Sequence, residues 1–477
     1  MIVRRLRGRI LQLALLTLAL VPGHAGERPN GDAWLRHVRQ DLLPFWSSPD
    51  ALGTPPGNFP TFRCNDGRVP DPKALCPEIE KPPAWIRPEI GRTYVRMQGR
   101  QTYAYAAAFH MTGERRWLDA ARAGAAHTLA LLHPDTGAPS WFEQGQPLPA
   151  ANARTSQDQS YAVVGLAMLY YLTRDPKLER ALVAHERFVM ARYWDKEWGM
   201  LRWVPADGPV EEAKRQELVA QLDQLNAYMI LVAPYLPATA RTAWLADIRR
   251  LAEVIKEKFH DPESGVFWGT LEREDSRKPG ARHNDFGHTI KAYWMLLLAA
   301  KELQDPKLEA FARDGATRML ARAWHPPSNS WASEWKAEGV NAGKAWWIFA
   351  ELDQVAATLA QKDPAQARYL EGSWPFWLDK LTDHAHGEVW GWVSADGWVP
   401  PDSLKIHHWK SGFHSFEHAL VSYLGARALE GRPAILHFAT GAKRGPFRPY
   451  VMEGKVVSVK RRNGLEEVRF RMASAGR

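Results

Sequence analysis

The chain has 477 residues, 45% hydrophobic and 24% charged, a globular composition with ample material for a large core. Its net charge is +9 at neutral pH, and the four arginines of the first ten residues account for much of it, leaving +5 without them. The remaining charges are interspersed, and the absence of a basic block argues against nucleic acid as a partner. Tryptophan is common, at 22 residues against 13 Tyr and 17 Phe. For any single Trp, filling a helical core is the simpler role. A surplus of flat rings, however, also suits stacking on the C–H face of a sugar.

In chain order, Arg4, Arg5, Arg7 and Arg9 precede the apolar run "ILQLALLTLALV", and Gly23 and Ala25 follow it. This pattern predicts an export leader over residues 1–25, cleaved after about Ala25. The run is short for a transmembrane helix and no later run is long enough, so a periplasmic or secreted protein without a stable membrane span is expected. Next comes a Pro- and Asp-rich loop holding the only two cysteines, Cys64 and Cys76. In an oxidising compartment these are expected to form one local disulfide. A metal site would need more ligands nearby, and a catalytic thiol has no supporting motif.

From there the chain repeats. Turns end at Gly137 ("HPDTG"), Gly199 ("WDKEWG"), Gly265 ("HDPESG") and Gly387 ("DHAHG"), with spacings of 62, 66 and 122. A degenerate copy, "HPPSNSW", occupies 325–331, where the missing member belongs. Short aromatic stretches follow several of these turns ("MLRWVPADG", "VFWGTLERED", "EVWGWVSADG") and predict small β-hairpins. Out of phase run helix starts: "DPKLE" at Asp175 and Asp305, "DPAQA" at Asp363, and "TGERRWLDAA" from Thr112. Asp as N-cap with Pro in the first turn is a strong start signal. Amphipathic segments such as "LERALVAHERFVMARYW" lie between the two series. A period near sixty predicts about six helical hairpins over residues 30–431, as an open solenoid or a closed (α/α)6 barrel. Closure is favoured because six hairpins suffice and the long turns then gather at one end. The disulfide loop is an insertion near 64–76, and residues 432–477 ("AILHFATG", "GKVVSVKRR", "LEEVRFRMA") predict a small β-rich extension.

Two histidines sit where a loop becomes an inner helix: His288 in "NDFGHTIKAYWMLLLAAKEL" and His414 in "HHWKSGFHSFEHALVSYL". The positive end of a helix dipole disfavours imidazolium, which leaves a neutral proton acceptor. Two such bases on one pocket suit proton abstraction and return at a carbon next to a carbonyl. His418, four residues after His414, could instead form a metal pair, but no acidic third ligand is evident and no metal is assigned.

These segments resemble the N-acylglucosamine 2-epimerase superfamily, which includes cellobiose 2-epimerases and mannose isomerases. "DFGHTIKAYWMLLLAAKEL" is similar to the family's Y/F-G-H-D-I-E-x-x-W-L-L. "KAWWIFAELDQ" is similar to K-E-W-W-x-x-A-E, and "WKSGFH" to W-K-G-P-Y-H. "MQGRQTYAYA" and "QDQSYAVVGLAMLYYLTRDP" resemble two earlier segments, and the likeness runs in family order over roughly residues 35–430. It implies an (α/α)6 barrel and cofactor-free epimerisation at C2 of a reducing mono- or oligosaccharide through an enediolate. His288 and His414 fall on the catalytic positions. Arg100, Asp158, Asp223, Trp346, Trp347, Glu351, Trp409 and Lys410 fall on substrate-binding ones.

The chain also departs from the family pattern. Lys291 replaces a carboxylate one turn after His288, and is expected to push that ring further towards neutral without accepting a hydrogen bond from it. Asp223 and Asn226 replace a histidine and a glutamate, and Glu417 stands where an arginine is usual. An aldose–ketose isomerase fits the same chemistry. A polysaccharide hydrolase or lyase would instead need two of Asp158, Asp223, Asp285 and Glu351 opposed across the cleft. A carbohydrate-binding protein that has lost turnover would fit the altered partners.

Overall fold

In a computed structural model, which describes residues 28–71, 73–441 and 446–474, twelve helices wind as six hairpins. The leader expected over residues 1–25 lies outside the described residues. The helices are α1 (31–46), α2 (Val95–Thr112), α3 (Arg115–Leu131), α4 (Ser156–Thr173), α5 (Pro176–Tyr193) and α6 (218–232). They continue with α7 (238–259), α8 (Phe286–Leu303), α9 (Pro306–Ala323), α10 (Trp346–Ala360), α11 (364–381) and α12 (Phe413–Glu430). The even-numbered helices form an inner ring in which each packs on the next, and α12 packs on α2 to close it. The odd-numbered helices form the outer ring, so the fold is an (α/α)6 barrel.

Burial follows directly from which ring a helix occupies. Every residue of α2 is buried, and all of α4 except Thr173, because these helices have neighbours on every side. In α5 only Leu178, Leu182, His185, Glu186, Val189 and Tyr193 are buried, one stripe at helical spacing facing inward. Inner-ring packing is close where α2 crosses α4. A methyl group built on Gly99 would lie 2.0 Å from the Tyr161 carbonyl oxygen, and one on Gly165 would lie 2.5 Å from that of Gly99.

The punctuation of the sequence has a local physical basis. The Asp175, Asp305 and Asp363 side chains accept hydrogen bonds from N–H groups two or three residues on, with proline behind each. Glu114, in the corresponding place before α3, makes no side-chain cap. Gly137, Gly199, Gly265 and Gly387 all have positive φ, and in the degenerate copy Asn329 takes that conformation with φ 46°. The aromatic stretches do not form self-contained hairpins. Trp194–Asp195, at the end of an outer helix, pairs with Met200–Leu201, and Trp324–His325 with Ser330–Trp331. Trp392–Val393 pairs with Lys344–Ala345 from a different unit, which ties neighbouring long loops together.

The connections are strongly asymmetric. Inner-to-outer links are brief (113–114, 174–175, 233–237, 304–305, 361–363), whereas outer-to-inner links are long and collect over the inner helix N-termini. The longest, residues 47–94, contains the disulfide Cys64–Cys76, with Cα atoms 6.0 Å apart. Phe62, Ile79 and Ile86 pack around it together with Leu404. At the opposite end, strands β1 (Ala434–Phe438), β2 (Gly454–Arg462) and β3 (Leu465–Met472) form an antiparallel sheet in the order β1-β3-β2. Its buried face includes Leu436, Phe438, Val468 and Phe470. Among the described residues, no helix is long and apolar enough to cross a membrane.

The crossing of α2 and α4 yields a stability test. Gly99→Ala forces a methyl group into backbone and is expected to destabilise the protein by roughly 1–3 kcal/mol or more. A lowered thermal midpoint is the expected result, and an unchanged midpoint would show that the helices can separate freely.

Candidate functional site

The site lies at the N-terminal end of the inner ring. Asp285 is the N-cap of α8, and one carboxylate oxygen accepts from the His288 backbone N–H at 2.8 Å. Its other oxygen lies 2.7 Å from His288 Nδ1. A carboxylate on Nδ1 selects the tautomer protonated there and leaves Nε2 as the acceptor. The ring is flanked edge-on by Trp347 and His283, each with its centroid 4.6 Å away. His283 has φ 59°, a conformation uncommon for a non-glycine residue.

His414 occupies the first turn of α12. Its Nε2 makes no hydrogen bond among the described residues and lies 3.8 Å from Glu351 Oε1. The Trp346 and Trp347 rings lie 6.1 and 6.4 Å from it, so Trp347 borders both imidazoles. Burial, reinforced by the positive charges of Lys291, Arg100 and Lys410, holds the His414 pKa well below the ordinary 6.5. Glu351 is fully buried and pairs with Lys291 at 2.8 Å. Burial works against the Lys291 ammonium, but Glu351, Tyr161 and Asp223 outweigh it and raise its pKa.

The expectation that His288 lacks a carboxylate partner is therefore corrected. Lys291 is turned to Glu351, and the orienting acid is Asp285, three residues before His288 rather than one turn after it. His418, weighed as a metal partner of His414, is engaged elsewhere. His418 bonds Asp353 at 2.8 Å and packs against Trp377, and Asp353 also accepts from Trp331.

The other candidate residues separate by location. Arg100 donates to the Trp409 carbonyl at 2.7 Å and its guanidinium covers the Tyr161 ring at 3.9 Å. Asp223 accepts from Gln157 at 2.7 Å and from the Tyr161 hydroxyl at 3.0 Å. Asp158 accepts from the Thr155 hydroxyl and faces Arg96 at 3.5 Å, and that guanidinium lies 3.7 Å over the Trp409 ring. Trp346, Trp347 and Trp409 are each partly exposed, leaving ring surface for a ligand. Lys410 is different. Its ammonium is fully buried and pairs with Glu388, which also accepts from Trp46 and Ser415. It anchors the loop ahead of α12 rather than offering a charge to a ligand.

Asp285, Tyr161 and Arg96 were not singled out as partners from sequence, although the N-cap position of Asp285 was a usable signal. Glu417 is one of the departures from the family pattern. It is buried on α12 below His414, and burial together with nearby Glu351 pushes its pKa up to about 7. The Tyr450 hydroxyl donates to it at 2.6 Å and accepts from Tyr103 at 2.9 Å. A separate cavity of about 1280 Å³ lies at the far end of the barrel, near Tyr235, Lys301 and Arg448. Two of its cations are paired, Lys301 with Glu453 and Arg448 with Glu302, and it takes in neither histidine.

A model of the N-acylglucosamine 2-epimerase (GlcNAc 2-epimerase) family matches residues 88–419. The chain belongs to this family. The N-acylglucosamine 2-epimerase family and its neighbours include carbohydrate epimerases and isomerases. Cellobiose 2-epimerase of Bacteroides fragilis is 21% identical over 342 residues, which is 67% of this chain and 84% of that relative. The crystal structure of a D-mannose isomerase superposes with a TM-score of 0.66 at 16% identity, covering 84% of this chain and all of the other. An α-1,6-mannanase from Salegentibacter sp. HEL1_6 superposes with a TM-score of 0.53 at 12% identity, covering 83% and 99%. At such identities the two structural likenesses speak to the barrel alone.

For this family member, Asp285→Asn separates capping from catalysis. Asn caps a helix as well as Asp, so folding is retained. Loss of the charge on His288 Nδ1 is expected to lower kcat by roughly 10²-fold or more, the scale of a general acid–base group. Wild-type turnover in a folded variant would remove Asp285 from the machinery.

Proposed function

We propose that this protein is an exported sugar 2-epimerase or aldose–ketose isomerase, acting on a reducing sugar by proton transfer at C2. The observation that carries the proposal is that His288 and His414 both border Trp347, with ring centroids 4.6 and 6.4 Å from it. His288, oriented by Asp285, assists ring opening and shares the C2 proton transfer with His414. His414 is neutral before substrate binds because burial and three cations disfavour its protonation. Of these, Lys291 and Arg100 favour the enediolate. As negative charge develops at C1–C2, a proton on His414 becomes easier to hold, so the field that suppresses the resting imidazolium stabilises the transition state. Trp346, Trp347 and Trp409 offer ring faces to the sugar, with Arg100 over Tyr161 at the same end. The scheme calls on no cofactor. The leader-like residues 1–25 support export.

A hydrolase on the same barrel would need two unencumbered carboxylates facing each other. Instead Asp285 is held by His288, Glu351 by Lys291, Asp223 by Gln157 and Tyr161, and Asp158 by Thr155. That distribution favours proton transfer by imidazole over glycosidic cleavage.

Incubation of the mature protein with reducing sugars in D2O, followed by NMR, is expected to show deuterium entering at C2. His288→Asn and His414→Asn, checked for folding, are each expected to reduce the exchange by roughly 10²–10⁴-fold. Wild-type exchange in both variants would contradict the assignment of the two bases.

A further inference from the structure

The family match begins at residue 88, and just ahead of it stands an aromatic side chain with an unusual exposure. Trp85 is 56% exposed although its neighbour Ile86 is buried at 1%. The loop that carries it, residues 47–94, also holds the disulfide insertion near 64–76 and is firmly seated. Asn65 donates to the Ser403 carbonyl at 2.8 Å and accepts from the Lys405 backbone at 2.9 Å. Arg63 and Ile406 form a β-bridge, and the Cys64–Cys76 cluster packs on Leu404. The insertion is thus docked on the segment that leads into Trp409, Lys410 and His414.

From Trp85 a row of rings leads inward to the site. Its indole meets His407 edge-on at 5.0 Å and His408 at 5.5 Å. His407 lies 6.0 Å from Trp346, and Trp346 lies 6.1 Å from His414. Both histidines are buried, so they fix one edge of the indole while more than half of the residue stays in water. A rigid, half-exposed indole presents a large apolar face at little entropic cost to binding, the form that suits the C–H face of a sugar ring.

We infer that Trp85 is an outer saccharide subsite, and that the ligand is an oligosaccharide whose reducing end reaches His288 and His414 while a more distal ring stacks on this indole. The inference rests on the proposed function for the identity of the inner site. The outer contact belongs to the long, disulfide-bearing loop 47–94 and not to the barrel helices.

The test follows the indole N–H resonance of Trp85, assigned by comparison with Trp85→Ala, in protein labelled with 15N-tryptophan. Glucose and the β-1,4-linked tetramers of glucose and of mannose serve as probes. A tetrasaccharide is expected to shift the Trp85 signal, and glucose to leave it in place. In C2–H exchange, Trp85→Ala is expected to raise KM about tenfold for that tetrasaccharide with kcat unchanged. It should leave the monosaccharide untouched, and Trp85→Tyr should restore most of the loss. An unmoved Trp85 signal with both tetrasaccharides, or an equal effect of Trp85→Ala on monomer and tetramer, would overturn the subsite. A shifted signal without C2 exchange would uphold the subsite and count against the proposed reaction instead.

Discussion

A buried ammonium–carboxylate pair, Lys291 with Glu351, stands at the centre of the inner ring and sets the terms for the groups around it. It joins α8 to α10, the two helices that carry His288 and the tryptophan pair. Removing one member of such a pair would strand a charge in the core, typically at a cost of 3–5 kcal/mol. It also supplies the largest positive charge acting on His414. With Lys291 engaged by Glu351, the carboxylate bound to His288 is Asp285, on the loop side of the ring. Two imidazoles beside one tryptophan thereby acquire different surroundings: His288 is held by Asp285, whereas His414 is buried with Lys291, Arg100 and Lys410 acting on it.

Below this pair the C-terminal sheet enters the design. Tyr450 reaches from the extension into the barrel floor and donates to Glu417, which senses Glu351 and Lys291. A buried carboxyl without that donor would bear a larger desolvation penalty. Three residues of this polar framework, His283, Glu388 and Tyr450, hold positive φ at 59°, 66° and 55° without being glycine. Such conformations persist where surrounding contacts over-determine them, and here they flank the groups that fix the two histidines and their loop. The asymmetry of the connections completes the arrangement: brief links at the floor keep the ring tight, and long loops at the mouth carry the variable chemistry.

What could be read from the sequence was the part written in short-range chemistry. Aspartate caps before α5 and α9, left-handed turn glycines and the long apolar runs of inner helices such as α8 and α10 each declare themselves within a few residues, and together they specify the barrel. His288 and His414 were legible because both lie at loop-to-helix junctions. The electrostatic partners were not, since Lys291–Glu351, Tyr161–Asp223 and Lys410–Glu388 join different helices or loops whose contact depends on closure of the ring. Lys410 shows the consequence: its place in a motif marked it as a ligand for sugar, whereas burial and Glu388 give its ammonium a structural task. Tyr450 was hidden for a different reason. It belongs to an appendage whose docking has no periodic signal.

The most direct measurement is an NMR titration of 15N-labelled histidine, with the His414 ring identified by its loss in His414→Asn. Because its folded pKa lies well below 6.5, the ring should keep the neutral pattern of one protonated and one bare nitrogen throughout pH 6 to 8. An imidazole at that position titrating near 6.5, as a solvated histidine does, would contradict the buried neutral base on which the proposed chemistry depends.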